Sequence, residues 1–415
     1  MTPVINRCMT LFKIEDMRCD YFDKGLCRSC TWMNIPYTVQ LSEKVSTVRS
    51  YLDPILASRD SNLDDFWTAP VCSPEEGFRN KAKMVVTGSA HEPNLGILDP
   101  DQHPKHHDGT GVDLSECPLY EPAIIASFEP IRRLIIAAGI EPYQMPTRRG
   151  ELKHVIITVS PQQQLMIRFV LRSTDQLAPL REHLPALQDE LARRQAPARV
   201  ITANILPQHQ ALLEGDEEIH LAGDQTLTML LNGVPLRLRP QGFFQTNTVI
   251  AAELYHRAAT WIAELPEIRV VWDLYAGVGG FGLTLADTAR RAGTPLRVWG
   301  MESSPQAITA GNQTVADLGL ADTVQFRAGD ATRLATAEER PDLVVVNPPR
   351  RGIGAELASW LNTHTDHVLY SSCHAKTLAT DLEYLPDFTP VRGTVLDMFP
   401  QTAHCETLVL LSRCG

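Results

Sequence analysis

From Val270 onward the chain repeats a pattern that few folds can accommodate: a short, continuously apolar stretch, a segment of helical length, then another apolar stretch. Its strands are Val270-Val-Trp-Asp-Leu-Tyr, Arg297-Val-Trp-Gly-Met-Glu, Thr323-Val-Gln-Phe, Asp342-Leu-Val-Val-Val-Asn and His367-Val-Leu-Tyr-Ser-Ser. Strands with no polar face must be covered on both sides, which a parallel sheet flanked by helices provides. Two more strands, near Val391 to Met398 and Thr407 to Ser412, complete the expected sheet. The predicted fold class is therefore α/β, Rossmann-like, over residues 236–415.

Upstream the rhythm differs. Between Lys83 and Ile205, β-rich runs such as Lys83-Met-Val-Val-Thr, His154-Val-Ile-Ile-Thr-Val and Leu165-Met-Ile-Arg-Phe-Val-Leu alternate with helical stretches, predicting an α+β region. The domain division expected is 1–125, an N-terminal segment with clustered cysteines and strands that contact RNA; 126–235, a central α+β region; and 236–415. Pro93 to Gly111, rich in Pro, His, Asp and Gly, reads as an exposed loop whose His103, His106 and His107 imitate a metal site without elements to fix them. No stretch reaches the length of a membrane span or a signal peptide, so the chain reads as cytoplasmic. A net charge of -11 over 415 residues excludes a non-specific nucleic-acid coat but not a local basic site.

Three features at predicted strand ends carry chemistry. Gly277, Gly279 and Gly282 form the spacing G-x-G-x-x-G after a strand, and Glu302 follows 20 residues past the last glycine, where a ribose-binding acid is expected. Asp273, just before the turn, suits the ammonium of a methionine moiety. Cys373 closes the run Tyr370-Ser-Ser-Cys and precedes Glu406 by 33 residues, a thiol nucleophile and a carboxylate base. Tyr275, Glu302, Asn347 and Cys373 all fall at the sheet edge where open α/β sheets bind ligands.

Five segments together resemble the S-adenosylmethionine-dependent RNA uracil-C5-methyltransferases: Gln241-Gly-Phe-Phe-Gln-Thr-Asn247, Asp273-Leu-Tyr-Ala-Gly-Val-Gly-Gly-Phe281, Asn347-Pro-Pro-Arg350, Tyr370-Ser-Ser-Cys373 and Asp397-Met-Phe-Pro-Gln-Thr-Ala-His-Cys-Glu406. The likeness is greatest to the short bacterial branch that methylates 23S ribosomal RNA and lacks a TRAM domain, because cysteines stand where that barrel would be. The resemblance implies a class I methyltransferase fold and methyl transfer to a 23S uridine, the position-747 hairpin-loop site. It implies a monomer, with Gln245, Tyr275, Glu302 and Asn347 on the cofactor. The chemistry needs a thiolate because C5 of uracil is a poor nucleophile until sulfur adds to C6. Cys373 is the candidate thiol and Glu406 the base that removes the C5 proton; Cys405 is the rival thiol. Phe243 and Phe244 read as core aromatics rather than base-stacking groups. Asn347 stands where much of the family has Asp.

Of the nine cysteines, Cys19, Cys27, Cys30 and the distant Cys117 supply four thiolates, whose spacing suits either tetrahedral zinc or a [4Fe-4S] cluster. The resemblance implies the cluster. Competing readings are the same chemistry on another ribosomal or transfer RNA uridine, an amino-group methyltransferase of the adenine-N6 kind, a non-catalytic RNA-binding factor and an NAD-linked oxidoreductase. The adenine-N6 kind expects Tyr or Phe where Arg350 follows Asn-Pro-Pro.

Overall fold

The computed structural model describes residues 17–59, 62–103, 107–210, 212–329 and 339–413. A helix, α1 (Tyr37–Ala57), precedes two large sheets. The first sheet contains β1 (Lys81–Gly88), β2 (Pro93–Leu98), β3 (Gly111–Asp113), β4 (Leu152–Val159), β5 (Leu165–Leu171), β6 (Ala198–Ile205) and β7 (Glu217–Gly223), in the order β3-β2-β1-β4-β5-β6-β7. All its pairings are antiparallel except β5 with β6, which are joined through a helix at Leu177–Arg193. That helix and a second at Pro122–Ala138 bury Leu180, Leu184, Leu187, Ile124, Phe128 and Ile131 against one face of the sheet. Its strands run from Lys81 to Gly223, so the boundary expected at 125/126 falls inside one sheet.

The opposite face of this sheet is polar. Register places Lys81 beside Thr158, Lys83 beside Ile156, Ile156 beside Arg168 and Arg168 beside Thr202. Arg168 is buried and ion-pairs with Glu218 at 2.6 Å. A buried guanidinium is tolerable only when its donors are matched in this way. The segment expected as a loop departs from expectation: Pro93–Leu98 is strand β2, because Val85 and Val86 offer it an open ladder edge. His107 is buried, its Nε2 3.1 Å from the Asp99 carbonyl, and His106 lies outside the described residues.

After a small hairpin, β8 (Leu227–Leu231) with β9 (Val234–Leu238), a helix at Thr248–Ala263 leads into the second sheet. Asn247 starts that helix, its Oδ1 accepting from the Ile250 amide at 3.2 Å. The sheet contains β10 (Val270–Leu274), β11 (Arg297–Glu302), β12 (Val324–Ala328), β13 (Leu343–Val346), β14 (His367–Ser372), β15 (Phe388–Leu396) and β16 (Glu406–Arg413). Its order is β12-β11-β10-β13-β14-β16-β15, parallel except for β16, which runs antiparallel to both its neighbours. The apolar runs of β10 and β13 are buried throughout, as expected for strands covered on both faces. The order reverses between β10 and β13, and a crevice opens there at the strands' C-terminal ends. Among the described residues no helix is long and apolar enough to cross a membrane.

Candidate active site

The turn after β10 is shaped by contacts that only small residues allow. A Cβ on Gly279 would stand 2.5 Å from the Phe326 ring, and one on Gly282 3.0 Å from Asp273 Oδ2, so the following helix, Gly280–Ala292, can lie this close to the sheet only with glycine at both positions. A Cβ on Gly277 would meet nothing within 4 Å, leaving that side of the turn open. Tyr275 holds a left-handed φ of 62°, a conformation that costs of order 1 kcal/mol or more in a non-glycine residue and clusters at functional sites. Asp273 faces inward, contrary to expectation. It is 1% exposed, its Oδ2 accepts from the Gly282 amide at 2.8 Å, and burial pushes its pKa up to about 7. Through Oδ2 it buttresses the turn from below, while its buried Oδ1 has no hydrogen-bond partner among the described residues.

Glu302 ends β11 with one carboxylate oxygen on the Gly277 amide and the other on the Ser304 amide, both at 2.9 Å. It lines a cleft of ≈ 450 Å³ together with Gly277, Val278, Ser304, Phe243 and Arg239. A carboxylate oriented by two amides at the rim of a cleft is placed to accept from a diol. Phe244 is a core residue, but Phe243 is 72% exposed at this cleft, so the core expectation fails for Phe243. Adjacent residues of an extended segment point in opposite directions, and only one of the pair can face the core. Gln245 is buried where the two sheets meet, its carbonyl accepting from Asn80 Nδ2 at 2.9 Å. Asn347 is half-buried at the end of β13.

The candidate thiol and base lie further along the same edge. β14 and β16 pair Ser371 with Leu408 and Ser372 with Thr407, so the next step of that register sets Cys373 beside Glu406. Glu406 is 1% exposed, accepts from the Ser371 hydroxyl at 2.5 Å, and is pushed by burial to a pKa of about 7. A carboxylate with that value is a competent base near neutrality, whereas one at 4.5 holds protons weakly. Cys373 is half-buried. Burial and the Glu406 charge raise its pKa, and the nearby Arg350 charge acts in the opposite direction. Cys405 is pushed up to about 12, chiefly by burial and against the opposing Lys44 charge, which leaves it a weak competitor. Burial first, then the charges of Arg350 and Lys44, lower the His404 pKa.

Arg350, Ser371 and His404 were thus not assigned by sequence reasoning. Arg350 was visible only as a residue in the Asn-Pro-Pro-Arg tetrad. Ser371 had a signal in the period-two alternation of β14, which turns it toward β16's first residue.

The N-terminal cysteines converge. The Cys30 thiol is raised to about 12 by burial and by the nearby thiols of Cys117, Cys27 and Cys19, so all four share one neighbourhood, packed by Met17, Phe78 and Leu119. Among the described residues, no three Cys, His, Asp or Glu side chains stand close enough to share a single metal ion. Tetrahedral zinc would hold its sulfurs about 3.8 Å apart. A four-iron cube takes each cysteine on a different iron, so its four sulfurs stand at the corners of a wider tetrahedron.

Comparison with known proteins agrees with this geometry. A family profile described as tRNA (Uracil-5-)-methyltransferase matches residues 224–414. The 23S rRNA (uracil(747)-C(5))-methyltransferase RlmC of Shigella boydii serotype 4 is 45% identical over 401 residues, covering 96% of this chain and 100% of that one. The protein of the same name from Escherichia coli O6:H1 is 45% identical over 399 residues, covering 95% and 99%. Among solved structures, Pyrococcus abyssi tRNA (uracil-54, C5)-methyltransferase in complex with S-adenosyl-L-homocysteine superposes with a TM-score of 0.72 at 22% identity, covering 93% of this chain and 84% of that one.

Proposed function

The chain belongs to the S-adenosylmethionine-dependent RNA (uracil-5-)-methyltransferase family, and from that premise we propose that it methylates C5 of a uridine in 23S ribosomal RNA, the one at position 747. The observation that carries the reading is the register of β14 and β16, whose next step sets Cys373 beside Glu406, with the Arg350 charge near the thiol and Ser371 on the carboxylate.

S-adenosylmethionine, when bound, supplies an electrophilic methyl group. Gln245, Tyr275, Glu302 and Asn347 would hold that cofactor, with Glu302 on the ribose. Arg350 stabilises the thiolate of Cys373, which adds to C6 of the uracil and forms a C–S bond while electron density moves onto C5 and the ring carbonyl. C5 then takes the methyl group. Glu406 removes the C5 proton, and the electron pair of that C–H bond restores the double bond as sulfur leaves C6. The target base must leave its stack to reach the thiol, at a cost of roughly a few kcal/mol. The exposed ring of Phe243, with Arg239 at the same cleft, suits a base and its phosphate.

Cys19, Cys27, Cys30 and Cys117 would hold a [4Fe-4S] cluster, which would cross-link the N-terminal segment; none of the steps above uses it. We place the protein in the cytoplasm with its RNA, as a monomer, since one chain carries every residue named.

The test is incubation with S-adenosylmethionine and 23S fragments containing 5-fluorouridine, where fluorine cannot leave as a proton. A covalent complex stable to denaturation is expected, abolished by Cys373→Ala. Absence of the complex with the wild-type protein, or its persistence in the variant, overturns the mechanism.

A further inference from the structure

The loop between β15 and β16, residues 397–405, delivers Glu406 and carries His404, yet its own backbone is irregular. Gln401 at its apex holds a left-handed φ of 66° and is 1% exposed. A buried residue in that conformation persists only where its surroundings impose it. Here they do, through side chains of α1. Gln401 N–H donates to Gln40 Oε1 at 2.9 Å, and Gln40 Nε2 donates to Gln401 Oε1 at 2.8 Å. The same Nε2 reaches the carbonyls of Ile35 at 2.8 Å and Trp32 at 3.1 Å. Gln401 Nε2 donates to Glu75 at 2.9 Å. One turn along α1, Lys44 Nζ donates to Asp397 Oδ1 at 2.6 Å and to the Phe399 carbonyl at 3.0 Å, with both charged side chains fully buried. The Trp32 amide, two residues past Cys30, donates to the Gln401 carbonyl at 3.0 Å.

We propose that Gln40 and Lys44 are positioning residues for methylation: from a helix outside the catalytic sheet, they lock the loop that sets Glu406 against Cys373. The alternative, that they only hold the N-terminal helix onto the protein, does not require two polar contacts on the loop's backbone. Neither residue touches the reacting atoms. Cys373 follows the end of β14, away from the lock, whereas Glu406 opens β16 where the loop enters it, so loosening the loop should impair the Glu406 step and leave thiol addition intact. Because Trp32 shares the lock, the cysteine segment is mechanically continuous with the base-bearing loop.

This inference rests on the methyltransferase reading, and its test separates the two. Gln40→Met keeps the volume and removes every hydrogen bond of the amide. With unmodified 23S fragment, its kcat should fall at least tenfold while KM for RNA and for S-adenosylmethionine stays within twofold. A methylated covalent complex, scarcely detectable in the wild type, should accumulate during turnover. Gln401→Gly, which suits the left-handed backbone and removes only the side-chain bonds, should show the same accumulation to a smaller degree. Lys44→Arg, which keeps the cation, should lie nearer the wild type than Lys44→Met. If complex and product fall together, as for mere loss of folded protein, or if Gln40→Met and Gln401→Gly both behave as wild type, the inference is overturned. If the wild type itself forms no complex on 5-fluorouridine RNA, the methyltransferase reading fails instead.

Discussion

Removing the Ser371 hydroxyl tests the proposed base more sharply than removing the base itself. Glu406 is buried and its pKa is raised from 4.5 to about 7, with the Ser371 hydroxyl the one named influence acting to lower it. A base of that pKa is about 90% ionised at pH 8, half at pH 7 and about 10% at pH 6. Breakdown of the methylated complex should therefore slow about tenfold per pH unit below 7, whereas a base at 4.5 would show no change over this range. A hydrogen bond to a charged group is worth about 1.5–3 kcal/mol, and one pKa unit is about 1.4 kcal/mol, so Ser371→Ala should raise the value by about one to two units. At pH 7 the ionised fraction then drops from about a half to between a tenth and a hundredth, a five- to fiftyfold loss that raising the pH recovers. The assay is a single-turnover pH jump: labelled complex is formed, the pH is shifted to values from 6 to 9, and decay is followed on a denaturing gel. A wild-type limb near 4.5, or a Ser371→Ala limb that stays put or moves to lower pH, refutes the assignment of Glu406 as a buried, serine-tuned base.

Stability should change in the opposite sense to activity. The folded protein binds the Glu406 proton more tightly than the unfolded chain does, so this group's contribution falls as pH rises from 4.5 through 7. Glu406→Gln should thus be more stable than wild type at pH 8 by up to about 3 kcal/mol and gain little at pH 4.5, as read by urea unfolding at both values. Arg350→Gln should raise the Cys373 pKa further and slow its alkylation by iodoacetamide about tenfold at pH 8. Cys405→Ala should leave complex formation on 5-fluorouridine RNA intact, and loss of the complex in that variant would exchange the roles of the two thiols. Tyr275→Asn tolerates the left-handed backbone but removes the ring. It should weaken S-adenosylmethionine binding about tenfold by calorimetry while unfolding stability stays within about 1 kcal/mol.

Much of the site was legible because its residues punctuate regular elements. Tyr275, Asn347 and Cys373 each follow a strand that the apolar pattern identifies, and Glu302 closes one, so a parallel sheet brings them to one edge whatever the loops do. Asp273 was misread for a related reason. Position along the strand shows that it precedes the turn, but not that its side chain points down into the helix N-terminus, where Gly282 lets it bond the backbone. Phe243 and Phe244 show the same limit, since two adjacent aromatics carry no label for which one faces the core.

From one sequence came the fold class and the order of the strands along the chain, because these depend on residue type and local periodicity, and the candidates for the reacting groups, which came from motifs and a family resemblance. Tertiary structure alone decided that β16 runs antiparallel beside β14, which joins Glu406 to Cys373 and puts Ser371 on the carboxylate. It alone brought the Arg350 charge near the thiol, gathered Cys117 with three cysteines near the start of the described chain, and set Gln40 and Lys44 under a loop more than 350 residues away. Hydrogen bonding and burial act between atoms near in space, and periodicity reports only on neighbours near in sequence, so contacts across the sheet and across the chain leave no local trace for it to read.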